Sequence, residues 1–407
     1  MYHIRFLKVP YIVPPPSNTQ QSSSKTPKAN AGEITVSTKI TLTTELGENF
    51  FYGSVPVRAE IAYRQNANSS VKKRKRAGSS KDKASSILLG ETTALWKNGM
   101  RALQLDISIP RKVVEELAAD NVQIFERVFI NATDAADECP LFFESDDVPL
   151  PPTFFEIESM PFRFGQNDAG STPKQKPAVT ISYKNDDSLY VKRHVEMGQS
   201  GTLTLAEEIG DSMAKHLWDS GIFLCSYLRA SKANQEEFIS QLITDTDRKQ
   251  QILEIGCGCG TVGIALSKLV KNSRVLLTDL DSAKEVAERN IVLNQDRSLT
   301  PVEFLPFDWD TSQNDEQQNA AVLDTQWDIV VACDCTYNPD SFTSLTDVLK
   351  RLIGADTKLL LVHKERHGSE NTVFEMLEQK NVLKLQWRQL LEPTAVKSRV
   401  DILVHQS

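Results

Sequence analysis

The run Glu254-Ile255-Gly256-Cys257-Gly258-Cys259-Gly260 lies between an apolar segment and a helix-like one. Glycines at alternating positions let the backbone bend sharply after a strand and lie against a ligand with no side chain between. A second apolar run, Val275-Leu276-Leu277, leads to Asp279. The next strand of a parallel sheet would carry that carboxylate to an adenosine ribose, where it can accept both hydroxyls. These residues are expected to bind a nucleoside-containing cofactor.

Gly258-x-Gly260-x-x-Gly263 also satisfies the dinucleotide pattern, which keeps a nicotinamide-dependent dehydrogenase open. Three features weigh against it. Glu254 enters the turn, and a carboxylate there repels a pyrophosphate but suits a cation. Asp308 and Asp310 add negative charge, and the chain ends in a hairpin pattern where a second dinucleotide half would stand. A cofactor with a sulfonium and an amino group but no phosphates fits better, which is S-adenosylmethionine.

The elements that must position these residues follow from the periodicities. From about residue 210, apolar runs alternate with helical patterns: Gln251–Ile255, Arg274–Asp279, Val302–Leu305, Trp327–Asp334 and Lys358–His363 as strands, with helices between them. Five such units predict a parallel, doubly wound sheet. Leu383–Leu391 and Arg399–His405, separated by Pro393, predict an antiparallel hairpin that brings the count to seven strands. Earlier in the chain Ile34 and Val36, Ile40 and Leu42, then Leu103, Leu105, Ile107 and Ile109 alternate with polar residues, as strands of a β-rich domain do. The expected organisation is a loosely attached or disordered segment over 1–30, a β-rich domain over 31–190 with a basic loop at 71–86, and an α/β Rossmann-like domain over 191–407.

Other chemistry-bearing positions fall at the expected carboxyl ends of the strands, where open α/β sheets bind ligands. Phe307-Asp308-Trp309-Asp310 follows the third run. Ala332-Cys333-Asp334-Cys335-Thr336-Tyr337 ends the fourth, and Leu217-Trp218-Asp219-Ser220-Gly221 precedes the first. With the glycine turn, these segments resemble the seven-stranded S-adenosylmethionine methyltransferases. More narrowly they resemble methyltransferase-like family 16, whose members mostly methylate lysines of non-histone proteins. The resemblance runs from about Gly210 to Val404. It implies that Gly256, Cys257 and Gly258 face the methionine part of the cofactor, beside the cofactor-binding Glu254, and that Asp279 holds the ribose. It implies too that Trp309 packs near the adenine, that Ala332 lines the floor and that Trp218 closes the site. Asp334 and Tyr337, of the D-x-x-Y motif, would shape the entrance for the incoming amine.

Each position also has a plainer reading. Asp279 could cap a helix starting near Ser282, although its spacing from the glycine turn favours the ribose. Trp218 could be core, and Tyr337 before Asn338-Pro339 could pack a turn. His363 and His367 lack the spacing of a base or metal site and read as structural or solvated. The pairs Cys257/Cys259 and Cys333/Cys335 are not spaced as in common zinc sites, so they read as small buried side chains and no metal is expected.

With 407 residues, 40% hydrophobic and 25% charged, and a net charge of −8, the composition is that of an ordinary soluble protein. That balance argues against a nucleic-acid-binding surface, and no run reaches the ~18 apolar residues of a membrane span. Six cysteines in such a chain make no disulfide framework and fit a reducing compartment. Lys72–Arg76 reads equally as a solvated loop or a nuclear import signal. The expectation is a monomeric S-adenosylmethionine-dependent protein-lysine methyltransferase of nucleus or cytoplasm, with a protein substrate. Its rivals are a small-molecule N-methyltransferase and a non-catalytic module that keeps the cofactor fold.

Overall fold

A computed structural model of the chain describes residues 2–14, 32–44, 47, 49–64, 86–131, 154–167, 178–210, 212–234, 242, 248–270, 272–295, 301–310, 316–364, 372–378, 383–391 and 398–405. The chain forms two compact units, residues 1–142 with 151–192, and residues 143–150 with 193–407. Lys72–Arg76 and His367 lie outside the described residues.

The first unit consists mostly of strands: β1 (Tyr2–Ile12), β2 (Glu33–Thr43), β3 (Val55–Arg64), β4 (Ser86–Trp96), β5 (Leu103–Pro110), β6 (Ile124–Phe129), β7 (Phe154–Phe155), β8 (Ile157–Ser159), β9 (Phe162–Asn167) and β10 (Ala178–Tyr183). A short helix, α1 (Arg111–Ala119), joins β5 to β6. One sheet has the order β5-β2-β1-β7. In the other, β10-β9-β6-β8 continues to β11 (Tyr190–Glu196), and β3 pairs with both β4 and β6. Along β5, Leu103, Leu105, Ile107 and Ile109 are buried while their neighbours face outward, the period of two that a half-buried strand requires.

One expectation is corrected here. Residues 2–12, placed by the sequence in a loose N-terminal segment, form β1, which pairs with β2, and Ile4 and Phe6 are core residues. Pro10 obscured the strand. It has no N–H to give, and the ladder shifts register between Lys8 and Tyr11 around it, the kind of irregularity at which a sheet tolerates proline.

In the second unit, β12 (Thr202–Glu208) and α2 (Asp219–Asn234) precede a regular alternation. It runs β13 (Gln250–Ile255), α3 (Thr261–Leu269), β14 (Ser273–Asp279), α4 (Lys284–Asn294), β15 (Val302–Pro306), α5 (Glu316–Leu323), β16 (Ile329–Cys333), α6 (Phe342–Leu352), β17 (Lys358–Lys364), α7 (Thr372–Glu378), β18 (Leu383–Leu391) and β19 (Ser398–His405). The sheet order is β15-β14-β13-β16-β17-β19-β18. Its first five strands are mutually parallel, while β19 runs antiparallel to both β17 and β18. β16 is apolar throughout and β13 is buried at every position but Gln251, as strands covered on both faces are. Leu253, Ile255, Val330, Ala332 and Leu361 pack with Phe342, Leu345 and Leu349 of α6 and with Phe374 and Leu377 of α7.

Successive strands step outward from β13 to β15, and the chain then returns to place β16 on the other side of β13. This reversal opens a crevice at the carboxyl ends of β13 and β16, the place where open α/β sheets receive ligands. Among the described residues no helix is long and apolar enough to cross a membrane.

Candidate functional site

The crevice is built around the turn that leaves β13. Gly256 has a φ of +59°, in the left-handed region. A Cβ placed on it would lie 2.7 Å from Cys335 Sγ and 2.9 Å from the Trp309 ring. Backbone conformation and neighbouring atoms both exclude a side chain there. The turn is closed by Gly260 N–H donating to Cys257 O at 2.7 Å and by Cys257 N–H donating to Thr278 O at 3.0 Å. Gly263, on the first turn of α3, lets the helix approach β14 closely, since a Cβ there would overlap the Leu277 side chain.

Glu254 lies beneath this turn. Its carboxylate accepts the Gly263 N–H at 2.7 Å, and burial pushes its pKa up to about 8. Asp279 stands on the neighbouring strand end. Its Oδ2 accepts the Gly258 N–H and its Oδ1 the Leu280 N–H, each at 2.7 Å, and burial raises its pKa as well. A carboxylate has about four acceptor positions, so each oxygen keeps a lone pair after these two bonds. The helix-cap reading is not what the bonds describe: Asp279 holds the glycine turn and the residue after itself, not the start of a helix.

The crevice is a cavity of about 330 Å³, within the size range of small-molecule and cofactor sites. Glu254, Gly256, Cys257, Gly258, Asp279 and Trp309 line it, together with Trp218, Asp334 and Tyr337. Asp308 and Asp310 add two more carboxylates, and no described lining residue is Lys or Arg. Such a lining favours a cation. Ala332, expected on the floor, is fully buried in the hydrophobic core and does not line the cavity; its neighbour Cys333 does. Side chains alternate along β16, and Ala332 falls on the core side.

The segment before α2 crosses the glycine turn. Trp218 Nε1 donates to Met213 O at 3.1 Å, and the Ala214 carbonyl lies 3.0 Å from where a Gly258 Cβ would stand. At the cavity mouth Met213, Leu280 and Tyr337 are 52%, 52% and 51% exposed, so the cleft opens onto an apolar surface.

Asp334 also lines the cavity. It has a φ of +55°, a left-handed conformation that aspartate tolerates better than most residues. Its N–H donates to Val362 O at 3.0 Å, and its Oδ1 accepts the Ser220 hydroxyl at 2.8 Å. Beside Ser220, Asp219 Oδ2 forms a buried ion pair with Lys364 Nζ at 2.8 Å. Thr336 Oγ1 and His363 Nδ1 are 2.6 Å apart, and His363 is buried edge-on against Phe374, which fits a structural histidine. Burial raises the Tyr337 phenol, and it lifts all four thiols of the C-x-C pairs well above their ordinary value, so they are neutral small side chains. Among the described residues no cluster of three or more His, Cys, Asp or Glu side chains could hold a metal ion.

Sequence reasoning did not single out Ser220, Lys364, Glu207 or Asn290. Ser220 and Asp219 lie beside Trp218, but their partners Asp334 and Lys364 lie far along the chain, and no local pattern encodes them.

Residues 198–380 match the family model described as lysine methyltransferase. Similar proteins include a UPF0665 family protein of Schizosaccharomyces pombe, 28% identical over 45% of this chain and 52% of that protein. The protein-lysine N-methyltransferase EFM6 of Saccharomyces cerevisiae is 26% identical over 43% of this chain and 74% of its own length. EEF1A lysine methyltransferase 3 of Xenopus tropicalis is 28% identical over 41% and 66%. The match thus spans about half the length of the first of these relatives and about two thirds to three quarters of the other two.

Proposed function

We propose, because residues 198–380 belong to the lysine methyltransferase family, that the protein transfers a methyl group from S-adenosylmethionine to a lysine side chain of a protein. The observation that carries this reading is the bare-backbone turn at Gly256–Gly258, held to Asp279 inside a cavity whose charged lining is acidic. These residues fit the cofactor. A turn without side chains accepts the methionine part closely, the spare lone pairs of Asp279 suit the two ribose hydroxyls, and Trp309 offers an aromatic surface for the adenine. Asp308 and Asp310 supply negative charge that a sulfonium and an ammonium need, and Glu254 adds to it as it ionises.

The bound cofactor would supply an activated methyl group on a positively charged sulfur. The protein's task is then alignment of the reacting atoms to within ~3–3.5 Å and presentation of the amine without its proton. A free lysine has a pKa near 10.4, so neutralising it at pH 7 costs about 4–5 kcal/mol. An apolar entrance lowers that cost by disfavouring the ammonium, and the half-exposed Tyr337 with Met213 forms such an entrance. Asp334, held by Ser220, orients the incoming nitrogen by accepting a hydrogen bond, and Tyr337 positions the lysine stem. No nucleophilic side chain is required. The open mouth favours a protein surface as the methyl acceptor over a small molecule. The β-rich first unit helps select that substrate, and the enzyme acts as a monomer in nucleus or cytoplasm.

The test is to incubate the protein with radiolabelled S-adenosylmethionine and a lysate from cells that lack it, then to identify the labelled residue by mass spectrometry. Label on a lysine of a protein band is expected. Folded protein that fails to bind S-adenosylmethionine by calorimetry, or label confined to small molecules, would overturn the reading.

A further inference from the structure

Behind the glycine turn, a buried side chain that does not line the cavity holds the turn in place. Asn290, on α4, is fully buried. Its Oδ1 accepts the Ala206 N–H at 2.6 Å, and its Nδ2 donates to Ala206 O at 3.0 Å and to Cys259 O at 2.8 Å. One helical turn later, Asn294 Oδ1 accepts the Thr204 N–H at 3.0 Å and Nδ2 donates to Thr204 O at 2.6 Å.

The two asparagines imitate a strand. Residues four apart on a helix rise ~6 Å, and residues two apart on a strand rise ~6.6 Å, so the side-chain amides meet alternate residues of β12 in step. Each amide presents one donor and one acceptor, as a peptide group does. Asn294 uses this pairing for β12 and its own helix. Asn290 alone carries the pairing into the glycine turn, through the Cys259 carbonyl.

β12 also fixes the other wall of the cavity. Next to Ala206, the Glu207 carboxylate accepts the Leu217 N–H at 3.2 Å, one residue before Trp218. Glu207 is itself held by the buried Arg193 at 2.6 Å. The glycine turn and the Trp218 segment are thus referred to one strand, and Asn290 is the link between turn and strand. We infer that Asn290 is a positioning residue for the cofactor. It secures the Cys259 side of the turn, while Asp279 secures the Gly258 side. This inference rests on the S-adenosylmethionine reading above.

The experiment compares full-length wild type, Asn290→Asp and Asn294→Ala. Asn290→Asp keeps size and the acceptor to Ala206 but turns an oxygen toward the Cys259 and Ala206 carbonyls. Calorimetric affinity for S-adenosylhomocysteine is expected to fall at least tenfold in Asn290→Asp and to stay within threefold in Asn294→Ala. Amide hydrogen exchange of the ligand-free proteins should show faster exchange at residues 257–260 in Asn290→Asp only. Should Asn290→Asp not fold, Asn290→Ser carries the same expectations. Wild-type affinity in Asn290→Asp, or equal losses in both variants that track their thermal stability, overturns the inference. Failure of wild type to bind overturns the cofactor reading instead, and the exchange rates then still decide whether Asn290 holds the turn.

Discussion

Ser220 and Asp334, 114 residues apart in the chain, meet through a 2.8 Å hydrogen bond in which the serine hydroxyl donates to the carboxylate. Both are buried, and Asp334 holds a left-handed backbone conformation. A side chain fixed at backbone and tip cannot swing into the cavity or out of it. That is the property an orienting acceptor for an incoming amine needs.

Ser220→Ala should therefore separate the two substrates. Leaving a buried acceptor without its donor costs about 1–3 kcal/mol. Methyl transfer is expected to slow roughly tenfold, while cofactor affinity by calorimetry stays within twofold of wild type. Equal losses in both would mean that Ser220 merely supports the fold.

Gly256→Ala tests the turn. A left-handed conformation costs an L-residue about 1–2 kcal/mol, and the new methyl group would crowd both Trp309 and Cys335. Cofactor affinity should fall more than tenfold, with the purified variant still cooperative in thermal unfolding. Unchanged affinity would show that the ligand does not lie on this stretch of backbone.

Asp279→Asn replaces one of two oxygens that each accept a backbone N–H with an amide that can only donate. The turn loses an anchor and the ribose loses an acceptor together. Titration with S-adenosylhomocysteine should show a loss of tenfold or more, about 1.4 kcal/mol. Affinity equal to wild type would remove Asp279 from the ribose site.

Glu254 makes a pH prediction. Its folded pKa, about 8, lies above its ordinary 4.5 because of burial. Its contribution to stability is fully present below about pH 4.5. It is lost as the pH rises toward 8, at about 1.4 kcal/mol per unit, since the unfolded state ionises first. Glu254→Gln keeps an acceptor for Gly263 and should flatten stability across that window in denaturant titrations at several pH values. An unchanged slope would argue that Glu254 is already ionised in the folded protein. In wild type, the preference for S-adenosylmethionine over its uncharged-sulfur product should increase over the same range, because the carboxylate gains its charge.

The site divides sharply into what its sequence announces and what it conceals. Gly256, Gly258 and Gly263 act within one strand–turn–helix segment, and Asp279 ends the next strand, so spacing and apolar runs reveal them. Ser220 with Asp334, Lys364 with Asp219, and Asn290 with Cys259 are joined only by the order of strands in the sheet. No local period records that order. Ala332 packs in the core, and a motif gives a position along a strand but not the face on which a side chain emerges. β1 is hidden in the sequence because Pro10 reads as a breaker, while the ladder accommodates it by a register shift between Lys8 and Tyr11.

The position of β19 between β17 and β18 bears on how the domain is made. β18 is synthesised before β19, the strand it pairs with. During that interval β17 presents a bare edge of backbone donors and acceptors to solvent, and the nascent domain is a target for chaperones or for pairing with another copy. Synthesis of Ser398–His405 ends this exposure, so a segment remote in sequence from the glycine turn seals the sheet that supports it.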